Sequence, residues 1–156
     1  MKRTSLLPVL LGLAAGLSSC EKNEELPENI QWLTAKNWRM SANVTTFVYA
    51  TGNARRDVDN YSVSPACDLD DFWQFAPDHA LRIDEGASKC EAAAPQVNLA
   101  QWQLDAANHT LSVIGSSVRT YELLELTAST LKFKQDNGLS PLDGAPYYTT
   151  YTFTSF

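Results

Sequence analysis

Residues 147–156, Tyr147-Tyr148-Thr149-Thr150-Tyr151-Thr152-Phe153-Thr154-Ser155-Phe156, alternate between two faces. Tyr147, Thr149, Tyr151 and Phe153 fall on one side, and Tyr148, Thr150, Thr152 and Thr154 on the other. This is the period of a β-strand whose two faces meet different surroundings. The same period begins near residue 38, where Trp38, Met40, Ala42 and Val44 alternate with Arg39, Ser41 and Asn43, and it runs on to Tyr49 as a long first strand. Between these two strands lie three hairpin patterns. Phe72–Phe75 and Leu81–Asp84 flank Ala76-Pro77-Asp78-His79; Gln101–Leu104 and Thr110–Ile114 flank Asp105-Ala106-Ala107-Asn108; Thr120–Leu126 and Thr130–Lys134 flank Thr127-Ala128-Ser129. Together these runs make about eight strands at the spacing of a sandwich or barrel. A last strand that pairs with the first removes both sheet edges. The expected architecture is therefore all-β: a single antiparallel up-and-down barrel, preceded by a short helical turn at Ile30–Ala35, where Ile30 and Leu33 are three residues apart.

The remaining segments read as connections. Thr51-Gly52-Asn53 starts a turn and the polar stretch up to Asn60 is loop; Gly86–Pro95 is small and polar; Asp136–Pro146 carries Gly138, Pro141, Gly144 and Pro146, so no strand is expected there. The chain has 18 acidic residues against 12 Lys and Arg, a formal net charge of −6. Such a surface repels phosphate backbones, which argues against a nucleic-acid partner.

The first 20 residues carry a second kind of information. Lys2 and Arg3 precede an apolar run from Leu6 to Leu17, followed by Leu17-Ser18-Ser19-Cys20. A cationic start, a short apolar stretch and small residues before a cleavage point are the parts of a secretory signal, and the run is too short for a permanent span of about 20 residues. The segment resembles the lipobox of bacterial lipoproteins, with Leu17, Ser19 and Cys20 at the matching positions. That resemblance implies a signal peptide over residues 1–19, lipidation of Cys20, and a membrane contact made by acyl chains. Residues 20–30 then form an acylated cysteine and flexible tether, and 31–156 the barrel domain, one unit able to bury about two thirds of its unfolded surface. Glu21, Glu24 and Glu25 resemble a surface-export signal of some Gram-negative lipoproteins, or are simply a solvated linker.

Removing Cys20 to the lipid leaves Cys67 and Cys90 as a pair. In an oxidising envelope a disulfide is the expected state, contributing about 3 kcal/mol by loop closure. Two free thiols or a metal pair are the competing readings, and metal is disfavoured because no Cys or His stands at ligand spacing.

The middle of the chain resembles the lipocalin-like domain of exported Gram-negative lipoproteins. The resemblance is carried by Trp38; by Cys67-Asp68-Leu69-Asp70-Asp71 running into Phe72-Trp73-Gln74-Phe75; by Asp84-Glu85-Gly86-Ala87-Ser88-Lys89-Cys90; by Gln101-Trp102-Gln103-Leu104; and by Tyr121-Glu122-Leu123-Leu124-Glu125-Leu126 with Leu131-Lys132-Phe133. It covers about residues 31–135. Two departures stand out: Lys36 where such domains commonly have glycine before the first tryptophan, and His79-Ala80 where a hairpin glycine is usual. The resemblance implies a barrel whose interior holds a small apolar molecule. It also implies an outer-membrane lipoprotein facing the periplasm or the cell surface.

Trp38, Trp73, Phe75, Trp102 and Phe133 are the candidate ligand-binding residues. They line a pocket or fill a closed core, and the narrow interior of an eight-stranded barrel favours filling. Leu81, Ile83, Leu104, Leu111, Val113, Leu123 and Leu131 are further core candidates. Asp68, Asp70 and Asp71 form the densest carboxylate group, but the segment lacks the later glycine and glutamate of a calcium loop, so turn capping and solvation are favoured. His79 falls at a hairpin tip and His109 at a strand entrance, and no G-x-S-x-G or H-E-x-x-H motif is present. No enzyme, cofactor or metal is expected. The expected function is a noncatalytic binder of a small hydrophobic molecule; the alternative is a solid barrel acting as an accessory subunit of an envelope protein complex.

Overall fold

The computed structural model describes residues 26–49, 54–105, 107 and 109–156. The expected signal peptide, the expected lipidation site Cys20, the residues up to 25 and the turn expected at Thr51-Gly52-Asn53 lie outside the described residues, as do Ala50, Ala106 and Asn108. The elements in chain order are α1 (Glu28–Thr34), β1 (Asn37–Val48), β2 (Arg55–Asp59), a 3₁₀ turn (Tyr61–Val63), α2 (Ala66–Leu69), β3 (Phe72–Phe75), β4 (Ala80–Asp84), β5 (Val97–Asp105), β6 (Thr110–Ile114), β7 (Val118–Leu126), β8 (Thr130–Leu139) and β9 (Pro146–Ser155). Neighbouring strands from β3 to β9 pair antiparallel in sequence order, and β9 pairs with β1 along most of its length, from Trp38–Ser155 to Phe47–Tyr147. The result is a closed antiparallel barrel of eight strands.

Nine strands fill eight positions because β2 and β3 share one. β2 pairs with the second half of β1 (Val44–Val48) and β3 with its start (Asn37–Arg39), both antiparallel and on the same side of β1. Residues 60–71, with the 3₁₀ turn and α2, are an insertion that interrupts this position. The expected loop before Asn60 is therefore partly strand. Arg55-Arg56-Asp57-Val58-Asp59 has little apolar content, and its conformation is selected by backbone pairing with β1 rather than by a buried face. The charges on it also blunt what is otherwise an open sheet edge.

A second correction concerns 136–146. β8 continues to Leu139 and β9 starts at Pro146, with Gly138 at φ 78° where the β8–β9 register shifts. Glycine supplies the bulge, and proline is tolerated as the first residue of a strand. A third concerns the parity of β1. A bulge between Met40 and Ala42 shifts the alternation, so that Trp38 and Met40 are followed on the inner face by Asn43, Thr45 and Phe47, opposite Tyr151, Thr149 and Tyr147. Ala42 and Val44 thus lie on the other face.

One end of the barrel is filled. Leu33 of α1 is fully buried and its carbonyl accepts a hydrogen bond from Trp38 Nε1 at 2.8 Å, so α1 plugs the barrel floor. The first described element, α1, thus starts at Glu28. Trp38, Phe75, Leu81, Trp102, Leu111 and Leu131 complete this layer, each at most 1% exposed. Burying one such side chain contributes about 1.5–3 kcal/mol. Trp102 Nε1 donates to the Ala76 carbonyl at 3.0 Å, so neither large indole is buried with an unpaired N–H. His79 and His109 stand in the left-handed region, at φ 67° and 50°, in the β3–β4 and β5–β6 hairpins of this end. His79 thus takes a backbone conformation that favours glycine, and its ring lies 5.0 Å from that of Trp102.

Candidate functional site

The opposite end is open. The strand directions bring there the 60–71 insertion, the β4–β5 loop, the β6–β7 turn and the β8–β9 hairpin. Two cavities, of about 310 and 390 Å³, lie side by side and share Trp73, Arg119 and Tyr121 as lining. The first has an aromatic floor built by three of the barrel's strands together with β3: Trp73 from β3, Tyr121 from β7, Phe133 from β8, Tyr151 and Phe153 from β9. Phe133 sits at its centre, with ring centroids 5.9 Å from Trp73, 4.7 Å from Tyr121, 5.4 Å from Tyr151 and 5.5 Å from Phe153. Rings at these separations stabilise one another beyond the area they bury. They also line the space above.

The walls over this floor are polar. Asn43 comes from β1, Ser64, Asp68 and Asp71 from the insertion, and Arg119 from β7. Arg119 shares the inward parity of Tyr121 and Leu123, so it hangs over the mouth. Behind them a hydroxyl and amide network ties β1, β8, β9 and the insertion together. Thr45 and Thr149 hydroxyls are 3.0 Å apart, Asn60 Nδ2 donates to Thr45 Oγ1 at 2.9 Å, and Asn137 Nδ2 donates to Thr149 Oγ1 at 2.8 Å. Barrel interior that would otherwise need apolar fill is closed here by hydrogen bonds.

The insertion is fastened in two places. Cys67 of α2 is bonded to Cys90 of the β4–β5 loop, with Cα atoms 5.2 Å apart, as the cysteine pairing anticipated. Asp70 Oδ2 accepts from Ala87 N and Ser88 N at 2.8 Å each, and from Ser88 Oγ at 3.1 Å. Burial pulls the Asp70 carboxyl upward, but these hydrogen bonds outweigh it and hold it below the ordinary value. Gly86 makes the approach possible: at φ 65° it lies so close to Asp70 that a Cβ would stand 2.4 Å from the Asp70 carbonyl oxygen.

Asp71 behaves oppositely. Burial, and then the carboxylates of Glu85, Asp68, Asp70 and Asp84, push it up to about 6. Its Oδ1 is buried with no hydrogen-bond partner among the described residues. Tyr151 is also raised, first by burial and then by Tyr121, with Arg119 and Thr149 opposing. Cys67, Asp68 and Cys90 bring three potential ligand atoms together, but both sulfurs are spent in the disulfide, and a disulfide sulfur is no thiolate ligand.

Of the five aromatic candidates, Trp73 and Phe133 line the first cavity. Trp38, Phe75 and Trp102 sit in the filled layer and line neither cavity. Asp71, Arg119, Tyr121 and Tyr151 were not singled out as ligand-binding residues. Alternation marks Tyr121 on β7 and Tyr151 on the terminal stripe, while Arg119 precedes the strand expected from Thr120 and no periodicity marks Asp71. No protein-family model, curated protein or solved structure matches this chain.

Proposed function

We propose that the protein is a noncatalytic binder of a small, largely apolar molecule, held at the Gram-negative outer membrane by lipid on Cys20. One observation carries the binding half of this reading: the cavity of about 310 Å³ over the aromatic floor, within the size range of small-molecule sites and with the apolar base and few polar groups they share. The anchoring half rests on the Leu17-Ser18-Ser19-Cys20 segment. The two fit together, because α1 enters the barrel at the filled end. The described chain therefore starts on the side of the domain away from the mouth.

Native mass spectrometry of the full chain, purified from a Gram-negative host, tests both halves. The expected result is a thioether-linked diacylglycerol on Cys20 and a bound organic molecule released by solvent, with Trp73→Ala abolishing that retention and Trp38→Phe preserving it. An unmodified Cys20 with the leader intact overturns the anchor. A chain that carries no molecule and binds none from an apolar library overturns the binder.

A second reading, an accessory subunit of an envelope complex, is favoured by the apolar rim around the mouth. Val63, Val118, Leu139 and Leu142 are 65–92% exposed there. Such a rim suits a protein contact. Loss of cross-linking to one specific envelope protein in Leu142→Lys, with small-molecule retention unchanged, supports this reading.

A further inference from the structure

We propose, building on the cavity as a ligand site, that its occupant is a small organic cation: an ammonium group carried on an apolar body. The cavity selects the body through its floor and the charge through its walls. Trp73, Tyr121, Phe133, Tyr151 and Phe153 line it with aromatic rings, a class of group that attracts a cation as well as apolar carbon. Two carboxylates, Asp68 and Asp71, stand in the wall above them, both from the insertion. Asp71 lines the cavity while its Oδ1 is buried with no donor within the described residues, so the protein leaves its charge poorly compensated and a cation in the cavity offsets it. A carboxylate-bearing ligand meets the reverse situation, adding charge to a wall already crowded by Asp68, Asp71 and the nearby Asp70, Asp84 and Glu85.

Arg119 is the one cationic side chain of the lining among the described residues. It is exposed, as Asp68 is, so water screens both of those charges, whereas the more buried Asp71 carboxylate is screened less. Its position on β7, across the barrel from the insertion, leaves the carboxylate wall to the ligand. The groups facing Asp71 explain its pH behaviour too. Asp68, Asp70, Asp84 and Glu85 favour its proton, and an arriving cation favours its release. Cation binding is therefore weakened as the pH falls through about 6 and Asp71 takes up a proton.

The test uses three probes with one body and three charges: 2-phenylethylamine, 2-phenylethanol and 3-phenylpropionate, titrated into the full chain by calorimetry at low salt. At pH 7.5 the amine is expected to bind at least about tenfold more tightly than either of the others, and this preference to shrink at pH 5. Asp71→Asn removes the preference while leaving the affinity for the alcohol within about twofold. Asp68→Asn reduces it in part, and the alcohol affinity of each variant verifies that its cavity is intact. Equal binding of amine and alcohol overturns the cation and leaves the cavity reading standing. Tighter binding of the propionate overturns it in favour of an anion held by Arg119. Failure of all three to bind at millimolar concentration overturns the cavity reading along with the cation.

Discussion

The two ends of this barrel are made by the same strands and closed by different chemistry. Along β9 the inner face passes from Phe153, buried, through Tyr151 on the cavity wall, to Thr149 in the hydroxyl network and Tyr147 stacked on Phe47 at 5.3 Å. Along β1 it passes from Trp38 through Met40 to Asn43 and Thr45. Each strand therefore trades dispersion and burial at one end for hydrogen bonds and open volume at the other. The lesson is that a site needs the second kind of end. An apolar layer packed to crystal density has no room for a guest, while a polar layer braced by side-chain hydrogen bonds keeps its shape around a space.

The most forceful way to break this comparison is to truncate a large side chain at each end. Trp102→Ala at the filled end is expected to destabilise by about 3–5 kcal/mol in urea unfolding, because the cavity left by a fully buried indole cannot collapse against eight paired strands. Met40→Ala, beside space that already exists, is expected to cost only about 1 kcal/mol. Equal losses would mean that the open end is packed as tightly as the filled one.

The disulfide sharpens the contrast from the other side. Cys67→Ser with Cys90→Ser removes a cross-link spanning 23 residues and is expected to cost about 3 kcal/mol. The loss should be local as well as global. Hydrogen exchange is expected to quicken first in residues 60–71 and in the β4–β5 loop, with β5–β6 protection at the filled end following only the global change.

A smaller effect separates the two neighbouring carboxylates. Asp71 titrates at about 6 in the fold against 3.8 in an unperturbed carboxyl. Between those values the folded chain holds a proton that the unfolded chain has lost, so stability contributed by this group falls as pH rises from about 4 to 6. Asp70, held below its ordinary value, has the opposite sign: its contribution is present above the unfolded pKa and lost as the pH drops through the folded one. Thermal melts at pH 4.5 and 7.5 are therefore expected to show Asp71→Asn stabilising at 7.5 and nearly neutral at 4.5. A uniform effect at both pH values would contradict the unfavourable burial of the Asp71 charge.

How much of this was legible beforehand follows the same division. The filled end is written in alternation: Leu81, Leu111, Leu131 and Phe153 each fall on the buried face of a period-two run, and strand pairing follows from those runs. Closure of β9 on β1 and the Cys67–Cys90 bond were equally readable. The open end was not. β2 has no apolar stripe to betray it, and the bulge after Met40, which turns Asn43 and Thr45 inward, leaves no mark in a pattern of small and β-branched residues. Alternation reports which way a side chain points and never the volume it leaves empty. The aromatic list for that reason joined Trp73 and Phe133 with Trp38, Phe75 and Trp102, which share chemistry but not location.

The ends differ also in how their turns meet left-handed backbone. At the open end, glycine holds these positions: Gly86, Gly138 and Gly144, at φ 65°, 78° and 69°. At the filled end histidine does, at His79 and His109. For a residue with a Cβ this conformation costs about 1–2 kcal/mol, against which glycine sets a larger loss of chain entropy on folding, about 0.5–1 kcal/mol. His109→Gly is therefore expected to stabilise by about 0.5–1 kcal/mol, since the 2.7 Å hydrogen bond from Leu123 N to its carbonyl survives the change. His79→Gly relieves the same backbone strain but gives up the ring that lies against Trp102, and its gain is expected to vanish. Urea midpoints of the two variants compare these outcomes directly. If both stabilise equally, the His79 ring contributes nothing to sealing the filled end, and the contrast between the ends rests on the buried layer alone.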